Sequence, residues 1–169
     1  MKKLILILII SLFSMSQSFA CDCECVGDCT FSSISNSSEF VALVKIISFD
    51  AFLEDDILGC DGKMPYAMTV EIVEKFKGEE TRIRIKIWGD NGVLCRPYLN
   101  LFEIGGHYLI APKQLGDYKL PGESATDYHF YSCNTDYLKV NLSQNKALGE
   151  YSKEQSEIDL AIFEKKLEK

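Results

Sequence analysis

Histidine is scarce in this sequence, and its scarcity argues against most hydrolytic and metal-dependent active sites. Of 169 residues only His107 and His129 are histidine, and neither stands in a His-Glu-x-x-His or similar metal-ligand spacing. The sequence also lacks a Gly-x-Ser-x-Gly nucleophile motif and a glycine-rich phosphate loop. We therefore predict that the protein is not an enzyme and has no cofactor or metal site of its own. Both histidines are interpreted as structural or surface residues.

Basic residues are outnumbered, which argues against nucleic acid or an anionic membrane surface as partner. The chain has 18 basic and 25 acidic residues. Two of the lysines lie in the first twenty residues, so the remainder has 16 basic and 25 acidic residues and a net charge of −9. Such a charge repels polyanions. Arg82, Arg84 and Lys86 form one basic stripe, which we interpret as the solvent-facing side of a strand.

Long apolar runs are also absent, apart from one near the N-terminus that is too short for a typical membrane span. This run, 4–13, follows Met1-Lys2-Lys3 and precedes Ser18-Phe19-Ala20, a pattern that predicts a secretory signal peptide over residues 1–20. Cleavage after Ala20 makes Cys21 the first residue of a secreted or periplasmic protein. A second interpretation stays open, in which Cys21 is lipidated and anchors a lipoprotein at the cell envelope.

Cysteine, in contrast, is plentiful, and all seven cysteines follow the predicted signal peptide, at positions 21, 23, 25, 29, 60, 95 and 133. Export to an oxidising compartment favours disulfide bonds, and an odd number leaves one thiol. The alternative is a zinc cluster, but the spacing Cys-x-Cys-x-Cys-x3-Cys differs from the Cys-x2-4-Cys pairs of structural zinc sites.

Hydrophobic alternation predicts an all-β domain. Apolar or alternating segments of strand length lie at 40–49, 68–76, 81–88, 106–111 and 129–133. No crossover helix separates them, so we expect an antiparallel core, namely a small closed five-stranded barrel of the OB type, cross-linked by disulfides. The domain is expected to span 21–140.

A C-terminal helical extension is predicted over 141–169. Ser152 and Gln155 form a capping box, and Leu160, Phe163 and Leu167 give an apolar stripe at helical spacing.

Taken in order, several segments resemble the netrin-like fold, and within it the bacterial relatives of the tissue inhibitors of metalloproteinases. The similarity covers about residues 21–138. The matching segments are Cys21-x-Cys23, the strand 38–45, the strand end 73–79 with its Lys77-Gly78, Cys95, the segment 102–110 and Cys133-Asn134-Thr135.

The resemblance implies disulfides Cys21–Cys95 and Cys23–Cys133, each closing a loop of more than 70 residues. Each would stabilise the fold by roughly 4 kcal/mol in the chain-entropy model. Of the remaining cysteines, we expect Cys60 to pair with Cys29 or Cys25.

The resemblance also implies a function for Cys21, Asp22 and Cys23. In that family the α-amino nitrogen and carbonyl oxygen of the first cysteine bind the catalytic zinc of a metalloendopeptidase. The second residue points into the pocket of the protease that holds a substrate side chain. A zinc metalloendopeptidase is therefore one expected partner.

Two positions depart from the family pattern and favour an alternative. Asp22 replaces a small neutral residue of the animal inhibitors, and a carboxylate in a mostly apolar pocket loses its hydration. Cys25 replaces a proline. The alternative is a disulfide-linked netrin-like module, expected to be monomeric, that binds another exported protein. It would contact a membrane only if Cys21 is lipidated, and lipidation would consume the amine that zinc binding needs.

Overall fold

The computed structural model describes residues 21, 23, 25, 27–53 and 63–167. The predicted signal peptide, Asp22 and Cys60 lie outside these residues. The helices of the described ranges are α1 (Phe31–Ser37) and α2 (Leu160–Leu167), with short 3-10 turns at Leu99–Leu101, Gly116–Tyr118 and Leu142–Gln144. The strands are β1 (Val41–Phe52), β2 (Pro65–Lys77), β3 (Arg84–Trp88), β4 (His107–Ile110), β5 (Lys113–Gln114), β6 (Tyr128–His129), β7 (Tyr137–Asn141), β8 (Lys146–Ser152) and β9 (Gln155–Asp159). Neither of these two helices is long and apolar enough to cross a bilayer.

One sheet contains all strands of the described residues, in the order β5-β6-β3-β2-β1-β4-β7-β8-β9. All pairings are antiparallel except β3 with β6. Strands hold 41% of these residues, and helices together with the 3-10 turns hold 18%, so the prediction of a mostly β fold is confirmed. The pairings do not close the sheet into a ring, and nine strands replace the five expected. The closed five-stranded barrel is therefore not confirmed.

Strand β1 is buried on both faces, which explains its nearly unbroken apolar sequence. Ala42, Val44 and Ile46 belong to a core cluster formed with β2, β3 and β4. Val41 and Leu43 point the other way, into a second cluster formed with both helices and with β7, β8 and β9. Side chains alternate between the faces of a strand, so β1 joins the two halves of the core.

The C-terminal segment is part of this core and not a helical extension. β8 and β9 form a hairpin that continues the sheet beyond β7, with Lys139 opposite Leu148. Phe163 of α2 packs against Phe31 of α1 and Phe76 of β2, with ring centroids 5.8 and 5.5 Å apart. The proposed division at residues 140 and 141 therefore does not separate two structural units.

The start of α2 differs from the prediction. Ser152 ends β8 and Gln155 begins β9, so the capping box between them is wrong. The helix begins at Leu160, where the side-chain oxygen Oδ1 of Asp159 accepts the N–H of Ala161 at 2.9 Å. The apolar stripe is confirmed: the side chains at 160 and 163 are buried, and the side chain at 167 packs against the second cluster.

Candidate functional site

Three disulfides hold the N-terminal cysteine segment, which we define as Cys21, Cys23 and Cys25. The bonds are Cys21–Cys95, Cys23–Cys133 and Cys25–Cys29, with Cα–Cα distances of 5.6, 5.3 and 4.9 Å. The first two are the pairs that the family resemblance implies. All three residues of the segment are exposed. The segment has no strand or helix of its own, so these bonds determine its position.

The expected pairing of Cys60 with Cys29 or Cys25 is wrong, because Cys25 and Cys29 are bonded to each other. The turn between them has left-handed backbone conformations at Gly27 (φ 65°) and at Cys29 (φ 64°). These conformations reverse the chain within four residues and bring the two cysteines together.

The bonding partners of the segment lie in loops that are themselves hydrogen-bonded to one another. The carbonyl of Cys95 accepts the N–H of Ser132 at 2.9 Å. The carbonyl of Cys29 accepts the N–H of Thr135, also at 2.9 Å. Cys133 lies between these two donors in sequence. The N-terminal cysteine segment is therefore bonded to one connected group of loops.

The loop before Cys95 is folded around the side chain of Asp90. Its Oδ1 accepts the N–H of Gly92 at 2.7 Å and that of Leu94 at 2.9 Å. Val93 between them is 83% exposed. The loop thus presents an apolar side chain to solvent two residues from the cysteine that binds Cys21.

A buried ion pair fixes the other side of Cys95. Arg96, 7% exposed, donates to both carboxylate oxygens of Glu123, at 2.5 and 3.3 Å. Glu123 also accepts the hydroxyl of Tyr66 at 3.0 Å and the N–H of Leu120 at 2.8 Å. Burial raises the pKa of Glu123, but the bonds from Arg96 and Leu120 outweigh it and lower the pKa overall.

A second buried carboxyl group fixes the loop of Cys133. Asp136 is 4% exposed, and its Oδ2 accepts the N–H of Tyr131 at 2.5 Å. Its backbone carbonyl accepts the N–H of Ala111, just beyond β4. Burial raises the pKa of Asp136 to about 6, although the hydrogen bond from Tyr131 opposes the shift.

Both histidines considered in the sequence lie in strands. His107 lies in β4 and His129 in β6, and burial lowers the pKa of each. The six cysteines of the described residues are all disulfide-bonded, so they supply no thiol for a catalytic Cys–His pair. Across 27–53 and 63–167 together with 21, 23 and 25, no cluster of three or more His, Cys, Asp or Glu side chains could hold a metal ion.

The basic stripe is neutralised by neighbouring carboxylates. The ion pairs are Arg82–Glu80 at 2.6 Å, Arg84–Glu71 at 3.0 Å and Lys86–Asp50 at 3.8 Å. Arg84 and Lys86 lie on the more exposed side of β3, where Ile85 and Ile87 alternate with them and are buried, as interpreted from the sequence, whereas Arg82 precedes the strand.

Val93, Glu123 and Asp136 were not predicted from the sequence. The turn at Asp90-Asn91-Gly92 was recognisable, and an apolar residue directly after it could have indicated an exposed side chain. The two buried carboxyl groups have no such sequence signal, because their neighbours in sequence are ordinary loop residues.

No family model matches the chain, and no curated protein is significantly similar to it. The N-terminal cysteine segment and the loops that hold it form the candidate site among the described residues.

The buried ion pair next to Cys95 should be important for stability. We predict that Glu123→Gln lowers the free energy of unfolding by about 3–5 kcal/mol, because it leaves the Arg96 charge buried without its partner. The matched control is Glu103→Gln, since the Glu103–Lys139 pair is largely exposed and should contribute less than about 1 kcal/mol. Urea unfolding at pH 7 with the disulfides intact measures the free energy of unfolding of both variants. Equal losses in the two variants would contradict the role of burial.

The buried carboxyl group of Asp136 should make stability depend on pH. Its pKa is raised in the folded state. Its contribution to the free energy of unfolding is therefore complete below pH 4 and is lost as the pH rises through about 6. Asp136→Asn keeps the acceptor for Tyr131 without the charge. At pH 4 this variant and the native protein should have nearly equal free energies of unfolding. At pH 8 the variant should be more stable by roughly 1–3 kcal/mol. Asp117→Asn, at an exposed position, should show no such rise. A native protein that is more stable than Asp136→Asn at pH 8 would rule out this assignment.

Proposed function

We propose that this protein is an exported inhibitor of zinc metalloendopeptidases that acts through the α-amino nitrogen and the carbonyl oxygen of Cys21. The observation that carries the proposal is the covalent attachment of an exposed Cys21-x-Cys23 to the loops of Cys95 and Cys133. An inhibitor of this kind needs a first residue that is accessible to the protease and fixed relative to the rest of the molecule.

The chemistry of the first residue suits a zinc ligand. Catalytic zinc sites keep one coordination position for water or substrate, and an amine nitrogen can replace that water. An N-terminal amine has a pKa near 8, so a substantial neutral fraction is present at physiological pH. The adjacent carbonyl oxygen would complete a five-membered chelate ring. Displacement of the water removes the nucleophile that the protease needs.

Rigidity is what the disulfides contribute to binding. A free N-terminal segment would lose conformational entropy when it enters an active-site cleft, and each immobilised side chain or backbone unit adds to that cost. The bonds of Cys21 and Cys23 remove most of this cost before binding. The exposed Val93 adds an apolar contact surface close in sequence to Cys95.

The proposal includes the closed netrin-like barrel as the finer description of the fold. Its support is the segment 128–141, which touches both edges of the four-stranded unit β3-β2-β1-β4. Its first part, β6, pairs in parallel with β3, and its second part, β7, pairs with β4. A single segment that bridges the two outer strands is what closure of a small barrel requires.

The location proposed for the mature protein is outside the cytoplasm, after cleavage of residues 1–20. Three disulfides in one small domain fit an oxidising compartment. We expect a monomer with Cys21 as its first residue.

A second candidate function is favoured by the chemistry of Asp22. Its carboxylate would lose hydration in an apolar protease pocket and would be repelled by acidic groups near the zinc. In this alternative the same disulfide-linked surface binds another exported protein without a zinc contact. A lipidated Cys21 would be compatible with this alternative but not with inhibition.

Extension of the mature N-terminus by one residue tests the proposal. The mature protein beginning at Cys21 should slow a panel of purified zinc endopeptidases, whereas addition of one alanine before Cys21 should abolish the effect. The added residue converts the amine into an amide, which is a far poorer zinc ligand, and it places extra atoms at the metal.

The control is addition of the same alanine after Lys169, which should leave inhibition unchanged. Disulfide mapping establishes that the two extended proteins are folded alike. Equal behaviour of the native and the N-terminally extended proteins would reject the inhibitor function and leave the binding module.

A further inference from the structure

A loop with a well-defined backbone leaves one aromatic side chain almost entirely in solvent. Tyr118 is 87% exposed, more than any other aromatic side chain that the structure describes. It lies in the loop 115–127, between β5 and β6. We propose that Tyr118 is a contact residue for the zinc endopeptidase that binds Cys21, on the protease surface outside the active-site cleft. This inference rests on the proposed function and names a second point of recognition for the same partner.

Backbone hydrogen bonds close the base of the loop 115–127. The N–H of Leu115 donates to the carbonyl of Asp127 at 2.9 Å. The N–H of Gly116 donates to the carbonyl of Ala125, also at 2.9 Å. The side chains of Leu115 and Asp127 are buried, and Oδ2 of Asp127 accepts the indole N–H of Trp88 at 2.8 Å. The base of the loop is therefore attached to the core.

Two tight turns fix the part of the loop that carries Tyr118. The N–H of Tyr118 donates to the carbonyl of Leu115 at 3.1 Å, within the 3-10 turn. A β-turn follows over 120–123, closed by a bond from the N–H of its last residue to the carbonyl of its first at 3.0 Å. Gly122 has a φ of 92° in this turn, as the third residue of a type II turn requires. The backbone on both sides of Tyr118 therefore has little freedom left to lose.

The buried carboxylate of Glu123 joins this loop to the disulfide of Cys21. It accepts a backbone N–H of the loop at 2.8 Å and is paired with Arg96, which directly follows Cys95. Cys95 in turn is bonded to Cys21. Even fully extended, the path from Cys21 to Tyr118 would be on the order of 30 Å long. A standard interface of about 800 Å² per partner has a similar width, so a protease bound at Cys21 can contact both residues.

Tyrosine is suited to such a contact. Residues that dominate the energy of protein interfaces are enriched in tyrosine, whose rigid ring supplies a large contact area at low entropic cost. In the free protein the ring of Tyr118 is exposed, so it gains burial only when a partner covers it. Because the backbone of the loop is already fixed, little further ordering accompanies binding.

The test is the inhibition constant of Tyr118→Ala, measured with a short peptide substrate against the same panel of purified zinc endopeptidases. We expect the inhibition constant to rise roughly 10-fold or more, mainly through faster dissociation of the complex. Tyr118→Phe keeps the ring and should recover most of the loss. The midpoint of urea unfolding should be unchanged in both variants, because this side chain is exposed in the free protein.

The matched control is Ile83→Ala. Ile83 is 73% exposed and precedes β3, whereas the loop of Cys95 follows the other end of this strand. This variant should inhibit like the native protein. Equal inhibition constants for the native protein and Tyr118→Ala would overturn the contact and leave inhibition through Cys21 intact, as would equal losses in Tyr118→Ala and Ile83→Ala. Absence of inhibition by the native mature protein would reject the contact and the proposed function together.

Discussion

The position of the N-terminal cysteine segment depends on two long-range covalent bonds, and the proposed function depends on that position. The segment has no hydrogen-bonded secondary structure of its own. Cys21 and Cys23 are attached to Cys95 and Cys133, which belong to different loops that are joined by the hydrogen bond from Ser132 to Cys95. Because both loops are fixed to the sheet, Cys21 and Cys23 are fixed as well. A surface built in this way can present a backbone amine and carbonyl to a partner with little loss of entropy.

Buried charged or ionisable groups determine the geometry of the loops that carry the disulfides. Arg96 and Glu123 form an ion pair beside Cys95, and Asp136 accepts a backbone N–H beside Cys133. Buried polar groups are costly unless they are paired, so each has one favourable arrangement. The two groups differ in electrostatics: the carboxylate of Glu123 is stabilised by a cation, whereas Asp136 has a backbone donor and a raised pKa. The two loops should therefore respond differently to pH.

The parts of the fold that were predictable are those in which hydrophobic side chains follow a simple period. β1, β2 and β3 alternate or are continuously apolar over five or more residues, and the stripe of α2 has helical spacing. β9, with the sequence Gln-Ser-Glu-Ile-Asp, has one buried apolar residue, and β5 and β6 have two residues each, so no periodic pattern could identify them. The bonds of Cys21 and Cys23 were implied by the family resemblance and not by any local pattern of the sequence. The Cys25–Cys29 bond was not foreseen because it requires a left-handed conformation at a non-glycine residue, which the sequence does not reveal.

Inhibition through Cys21 requires a mature chain that begins with a free amine on Cys21 and holds this residue to the loop of Cys95. Non-reducing peptide mass spectrometry of the protein isolated from its natural host tests cleavage, lipidation and disulfide pairing together. We predict an unmodified N-terminal peptide that begins at Cys21 and is linked to the peptides containing Cys95 and Cys133. A lipid on Cys21, or a direct bond between Cys95 and Cys133, would contradict it.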